Sequence, residues 1–516
     1  MARIIQTGDL TPDTRLSQMD REWVYNGLDS CVTLEVLNEL KTQLDNVTAQ
    51  TYQFSLALQA PILDMTMRGV LVDEYARQKA LEHFKKEVKK LESGLDYIIK
   101  EGVGIDINWR SPQQLIKLLY TVMRIPPVRK RNSQGRMAPT VNREALEKLT
   151  QYFYAEPICN YILKMRELDK KRMFLESEID SDQRMRCNYN IAGTTTGRLS
   201  SSVSEFGTGN NMQNIDTKLR AVFIADPGMK FANLDLEQAD ARNVGAVCWN
   251  LFVEEHGEKF AGAYLDACES GDLHTTVCSM AWTNLQWPDE AKARREVADQ
   301  IAYRQLSYRD LAKKLGHGTN YYGQPPTMAK HTKVPAVQIA AFQHSYFRGF
   351  PCIPEWHQYV RNSLRDTGTI TTLLGRRRRF FGRFNDDATL REAIAYEPQS
   401  LTADEIDLGI LKLWRADKSI LLIQVHDSIL IQYPEEQEDE IVPWALETLR
   451  VTIPLARGRE FSVPTEAKVG WNWGSVEYDK QGNVKTNPDG LVKWTGHDSR
   501  KRSYQPSMRE IFDAEI

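Results

Sequence analysis

Residues 419–433 constrain this 516-residue chain more than any other segment. The runs Ile420-Leu421-Leu422-Ile423-Gln424-Val425 and Ile429-Leu430-Ile431 are almost wholly apolar, and only His426-Asp427-Ser428 separates them. Two such runs joined so tightly form an antiparallel hairpin. Strands apolar on both faces must be covered on both faces, so the hairpin belongs at the centre of a sheet. That places His426 and Asp427 at the rim of a core. Taken alone, an aspartate in a hairpin turn is ordinary turn chemistry.

A second strand ends in acid the same way. Phe231-Ala232-Asn233-Leu234-Asp235-Leu236-Glu237 alternates and passes at once into a helical run, Gln238 to Trp249. A carboxylate there suits a metal ion, and it suits equally well a cap on the following helix. Asp235 and Asp427 lie 192 positions apart, so they meet only if their strands are neighbours in one sheet. If they meet, the pair is suited to two Mg²⁺ ions roughly 4 Å apart, which activate an attacking hydroxyl and stabilise a leaving oxygen in phosphoryl transfer. A third pattern is helical: Arg309, Lys313, His317 and Tyr321 are spaced four apart along one side, with Leu311 and Leu315 on another. Two cations, an imidazole and a phenol suit a triphosphate and a base; a solvated basic face with Tyr321 half buried has the same spacing.

Composition narrows the class. Hydrophobic residues make up 41% and charged residues 26%, as in ordered globular protein. No apolar run is long enough for a membrane span, and the N-terminus has no signal-like apolar stretch, which predicts a cytoplasmic protein with no membrane partner. The seven cysteines (31, 159, 187, 248, 268, 278, 352) contain no CxxC pair, which speaks against a disulfide framework or a cysteine zinc site. Net charge is −3, so a nucleic-acid partner must be held by local clusters. Three exist: Arg129-Lys130-Arg131, Arg376 to Arg379 with Arg383, and Arg500-Lys501-Arg502, each of which also reads as a solvated face. The P-loop, HExxH, GxSxG and dinucleotide-binding glycine patterns are absent.

The pattern predicts helices over 15–45, over 50–100 with a break near Met67-Arg68-Gly69-Val70, over 111–124 and over 142–175, with a basic, proline-rich loop at 124–139. Strands are expected at 188–191, 219–225 and 230–236, then helices to about 366. The fold class is α+β in more than one lobe.

Together these segments resemble family A DNA polymerases, the class of bacterial DNA polymerase I and many phage replicative enzymes. Thr195-Thr196-Gly197-Arg198-Leu199-Ser200-Ser201 with Asn211-Met212-Gln213-Asn214-Ile215 is similar to TGRLSS…NLQNI. Asp235 to Arg242 resembles motif A, Gly271-Asp272-Leu273-His274 the GDIH stretch, and Arg309 to Tyr321 motif B. Leu374-Gly375-Arg376-Arg377-Arg378 resembles LFGRRR, Arg391 through Gln399 to Asp404 the R…Q(G/S)TAAD helix, and Gln424-Val425-His426-Asp427 motif C.

The resemblance implies a right-hand polymerase with an antiparallel palm sheet and mostly helical thumb and fingers. It implies thumb at 46–180, palm at 181–245 and 384–480, fingers at 246–383, and a polar tail at 481–516. Asp235 and Asp427 would be catalytic and would hold two Mg²⁺ with the Leu236 carbonyl. His274, Arg309, Lys313, His317, Tyr321 and Asp240 would bind the dNTP. Arg198, Gln213, Asn214, Arg376, Arg377, Arg391, Gln399 and His426 would contact primer–template DNA. The implied activity is template-directed DNA synthesis.

Four positions depart from the pattern. Asp240 stands where Glu is usual, His317 where Phe or Tyr is usual, Tyr322 where a glycine follows the motif B tyrosine, and Ser428 where Glu follows the motif C aspartate. A single-subunit RNA polymerase shares His426-Asp427-Ser428, but TTGRLSS and the QxDxR form of motif A oppose it. Retention of both carboxylates with Arg309 and Lys313 opposes a non-catalytic scaffold. Tyr25 and Asp29 resemble the last motif of a 3′–5′ exonuclease domain, so residues 1–45 are expected to be a remnant of it. No proofreading by this chain alone follows as an expectation, leaving room for a separate exonuclease or processivity polypeptide. The stretch around LGHGTNYYG looks phage-like, which would make the compartment a host cytoplasm.

Overall fold

The computed structural model describes residues 17–132, 134–384, 386–479 and 481–503; the outer parts of the expected remnant and tail lie outside them. The hairpin forms: Ile420–Val425 and Ser428–Pro434 pair antiparallel, with Val425 opposite Ser428. Ser428–Pro434 pairs with Met229–Leu236, which pairs with Thr465–Gly470, to which Val492–Lys493 adds the other edge. Every pairing in this five-stranded sheet is antiparallel. Phe231, Ala232, Leu234, Ile429, Leu430 and Ile431 are each at most 1% exposed, so the ladder is covered on both faces. Full burial of each large side chain contributes about 1.5–3 kcal/mol.

The 30-residue helix Asp387–Ala416 packs against the hairpin and against the helices Ala239–His256 and Asn46–Arg68. It is buried along most of its length and carries Glu397, Asp404, Glu405 and Asp407 into the interior. Burial pushes the Glu397 carboxyl up to about 8, so it keeps its proton near neutral pH. The unfolded chain releases that proton near 4.5, so this part of the stability is fully present below 4.5 and is lost as pH rises through about 8. Glu397→Gln cannot ionise and should flatten that decline by a few kcal/mol at most, read from urea melts at pH 5, 7 and 9. Parallel pH profiles for the two proteins would refute it.

A separate helical lobe has its own core. Glu74–Val103 packs against Glu156–Leu175, and Val88, Leu95, Leu119, Leu146 and Ile162 form a cluster distinct from that around the sheet. The basic segment at its tip is a hairpin where the sequence predicts a loop: Arg129–Arg131 pairs with Met137–Pro139. The Asn132 side chain makes the turn by accepting from the backbone of Gln134 and Arg136.

One other expectation is corrected. Residues 219–225 are mostly a 3₁₀ helix, Thr217–Val222, because Asp216 caps it at Lys218; only Phe223–Ile224 is extended, pairing with Val70–Val72. The C-terminal segment as far as residue 503 is built into the sheet edge. Arg500 donates to the carbonyls of Val469, Pro488 and Gly490 and pairs with Asp498, so the third basic cluster is partly structural. The helix Gln18–Lys41, with Tyr25 and Asp29, has no buried residue. No helix among the described residues is long and apolar enough to cross a membrane.

Candidate active site

The sheet brings the two acids together. Asp235 lies directly opposite Ser428, and the Leu236 N–H donates to the Asp427 carbonyl at 3.1 Å, stitching the strand end to the turn. Both turns carry a non-glycine residue in the left-handed region, Gln238 at φ 54° and His426 at φ 57°. Such conformations cost on the order of 1 kcal/mol or more and cluster at functional sites.

Burial, then the charge of Asp427, pushes the Asp235 carboxyl up to about 6; burial also raises Asp427. Two neighbouring carboxylates that repel each other offer hard oxygen ligands, so a divalent ion fits this donor set. Glu466 flanks Asp235 on the other side, opposite it in the ladder, and pairs with Lys493 at 2.9 Å and Lys468 at 3.4 Å. Sequence reading missed Glu466, because only the register of Thr465–Gly470 reveals it.

The acids open onto a cavity of about 680 Å³ that Leu236, Asp240, His274, Lys313, His317 and Tyr321 also line. The helix Tyr308–Asn320 starts in a capping box between Ser307 and Asp310. It buries Leu311, Ala312 and Leu315 and turns Lys313 and His317 to the cavity wall. Arg309 is held by Asp272 at 3.3 Å, and Asp272 also caps Leu273–Ala281 and pairs with Arg295. Burial, then the nearby charges of Arg309 and Lys313, lowers His274 to about 4, so at neutral pH it is an uncharged hydrogen-bonding group. Burial also lowers His317, whose ring meets that of Tyr321 edge-on at 4.7 Å.

Asp240 is held by three donors from three separate elements. Its carboxylate accepts from Tyr321 Oη at 3.0 Å, Arg198 Nη2 at 3.2 Å and Thr402 Oγ1 at 3.0 Å. Gln399 lies beside the Tyr321 hydroxyl.

The remaining sequence candidates divide. Gln213 donates to the Leu199 carbonyl and to Gln424, and Gln424 donates to the His426 carbonyl at 2.6 Å, so Gln213 braces the hairpin turn below an exposed His426. Asn214 lies at a different cavity of about 640 Å³, lined also by Arg143, Lys170 and Asp216. Arg376 is engaged with Asp404 at 2.6 Å, Arg377 with Asp45 at 2.5 Å, and Arg378 with Glu392. Arg376 to Arg379 line a third hollow of about 410 Å³ with Thr194, Thr195 and Gly197. Arg391 is exposed on the Asp387–Ala416 helix and is not among the residues lining the main cavity. A cluster of Glu438, Asp439 and His497 lies at the opposite end of the Ser428–Pro434 strand, where Lys230 already occupies Glu438.

The chain is 25% identical to the thermostable DNA polymerase I of Thermus thermophilus over 91% of its own length and 54% of that protein's. It is 27% identical to that of Thermus aquaticus (80% and 46%) and 25% identical to DNA polymerase I of Deinococcus radiodurans (88% and 45%). The chain thus spans about half the length of the curated relatives it matches. Its fold is shared with the POL domain of Pol1 from M. smegmatis, solved in complex with DNA primer-template and dNTP: TM-score 0.64, 22% identity, covering 81% of this chain and 69% of that one. The family profile matches residues 76–475, and the chain belongs to DNA polymerase family A.

Proposed function

We propose that this chain is a template-directed DNA polymerase that adds dNTPs to a primer 3′-hydroxyl and releases pyrophosphate. The observation that carries the reading is the juxtaposition of Asp235 and Asp427 with a cavity whose far wall presents Lys313, His317 and Tyr321. Asp235, Asp427 and the Leu236 carbonyl would hold two Mg²⁺ ions. When bound, such ions neutralise phosphate charge and make the primer hydroxyl a better nucleophile. Lys313 and Arg309 bind the triphosphate as fixed cations, Arg309 preset by Asp272. His274 donates to a phosphate oxygen without adding charge. Asp240 and Tyr321 wall the sugar. The O3′–H bond breaks with its proton passing to solvent, the new bond joins the primer O3′ to the α-phosphorus, and the α–β P–O bond breaks as pyrophosphate departs with its electrons.

The separate core of the 88–168 helices supports their reading as a thumb, the five-stranded sheet as the palm, and the helices after it as fingers. Arg198, Gln213, Asn214, Arg376, Arg377, Arg391, Gln399 and His426 are assigned to primer–template. The seven free cysteines support the cytoplasm, a host cytoplasm for a phage protein.

Primer extension with dNTPs, with NTPs and without nucleotide tests the reading. Growth with dNTPs only, and no shortening without nucleotide, is expected. Growth with NTPs alone would restore the RNA polymerase alternative, and growth with neither would contradict the polymerase reading.

The arginine hollow makes its own prediction. Arg377 and Arg379 are exposed, so Arg377→Ala and Arg379→Ala should each lower the slope of log affinity against log salt by about one unit. Filter binding across a salt series reads this, and unchanged slopes would remove both residues from the interface. Arg376→Ala should act mainly on stability, because it strands a buried Asp404.

A further inference from the structure

Asp240 is a methylene shorter than the usual glutamate, and Thr402 stands where the Q(G/S)TAAD pattern has alanine. The structure places these two departures in contact. Thr402 Oγ1 lies 3.0 Å from Asp240 Oδ1 and 3.0 Å from the Pro398 carbonyl. The hydroxyl has one proton, and the carboxylate is the stronger acceptor. The hydroxyl oxygen also accepts: Asn243 Nδ2 donates to Thr402 Oγ1 at 3.1 Å and to Glu405 Oε2 at 2.9 Å. Asn243, Thr402 and Glu405 are each at most 1% exposed, so this chain of hydrogen bonds runs from the interior to the cavity wall without solvent. At the cavity end, Tyr321 and Arg198 bind the same carboxylate.

We propose that Thr402 and Asn243 are positioning residues that hold the Asp240 carboxylate back toward the Asp387–Ala416 helix, and so set the room available at C2′ of the incoming nucleotide's sugar. This rests on the reading of the cavity as a dNTP site. The shorter acid retracts the wall by about one carbon–carbon bond, roughly 1.5 Å. A free Asp240 would swing; three donors fix it. Thr402 Oγ1 already touches the Asp240 carboxylate at 3.0 Å, so the extra methylene of a glutamate has to extend away from Thr402.

The test is single-nucleotide addition by the full chain with dATP and ATP, resolving kcat and KM, with a melting curve for each variant. Thr402→Val keeps the shape and removes the hydroxyl; it should raise the dATP KM by about tenfold with little change in kcat, whereas Thr402→Ser should match wild type. Asp240→Glu should bring the carboxylate into the sugar space and raise KM for dATP by about tenfold and for ATP by more. Adding Thr402→Ala should return the dATP KM to within about threefold of wild type while ATP stays excluded. Independent, multiplying effects of Asp240→Glu and Thr402→Ala would overturn the proposal, as would wild-type kinetics in Thr402→Val. A folded wild-type chain that adds neither nucleotide would overturn the polymerase reading itself and the proposal with it.

Discussion

Asp427→Asn is expected to lower nucleotide addition by about a thousandfold or more while leaving the fold and the grip on primer–template intact. The acid sits in a turn whose backbone is fixed by the Leu236 N–H and by Val425 opposite Ser428, so an isosteric amide disturbs no packing. What it removes is half of the negative charge that a divalent cation would meet. Asp235→Asn should do the same, and the double variant should be scarcely worse than either, because the two act as one unit. The raised carboxyls supply an independent reading. Asp235 in the ion-free protein binds its proton up to about pH 6, against 3.8 in an unfolded chain. Its contribution to stability is therefore present below 3.8 and lost as pH rises through about 6, so Asp235→Asn should melt no lower than wild type at pH 7 without metal. Protons and metal compete for the same oxygens, and the half-saturating Mg²⁺ concentration should climb as pH falls below about 6. Asparagine variants that keep a tenth of wild-type activity would remove these residues from the reaction.

The parts of this site that were legible in the sequence are those where local pattern and burial agree. Ile420–Val425 and Ser428–Pro434 show themselves because a strand covered on both faces must be apolar throughout, and Met229–Leu236 because it alternates and ends in acid. The spacing of Arg309, Lys313, His317 and Tyr321 gives the helix but not the cavity it faces. That needed the placement of Tyr308–Asn320 across from the sheet.

What stayed hidden depends on partners distant in the chain. Glu466 flanks Asp235 only through the register of Thr465–Gly470. Thr402 meets Asp240 only because Asp387–Ala416 packs on Ala239–His256. The partners of the basic clusters are hidden for the same reason. A run of arginines cannot show in sequence that Arg376 turns inward to Asp404 or that Arg500 turns inward to the backbone around Val469. The expected strand at 219–225 is extended only at Phe223–Ile224, because the Asp216 cap at Lys218 winds Thr217–Val222 into a 3₁₀ helix.

Lys230→Met is the substitution expected to cost the most stability, about 3–5 kcal/mol. Lys230 is 2% exposed at the start of the strand that ends in Asp235, and its ammonium lies 2.6 Å from Glu438 and 2.9 Å from Asp498. The face of Trp471 covers it at 4.5 Å, and the Asp498 N–H and Tyr433 Oη donate to Glu438. Burial alone would raise the Asp498 carboxyl; hydrogen bonds from Arg500 and Lys230 hold it down at about 2. Methionine fills the space and removes the charge, leaving the buried Glu438 carboxylate without a cation beside an Asp498 that only Arg500 still pairs, at 2.7 Å. A depressed carboxyl stabilises the fold above its unfolded value of 3.8 and loses that contribution as pH falls toward 2, so the gap between wild type and variant should narrow in acid. Glu438→Gln and Asp498→Asn added to Lys230→Met should restore most of the loss, since the cost lies in uncompensated charge and not in volume. Because Asp498 follows Val492–Lys493, which closes the sheet edge, hydrogen exchange in the variant should rise first over residues 491–503. The ion triad lies at the far end of its strand from Asp235, so at a temperature where the variant is folded its kcat should match wild type. A melting loss below about 1 kcal/mol would mean that water or relaxation solvates the two acids, and that the C-terminal segment is held by its backbone pairing alone.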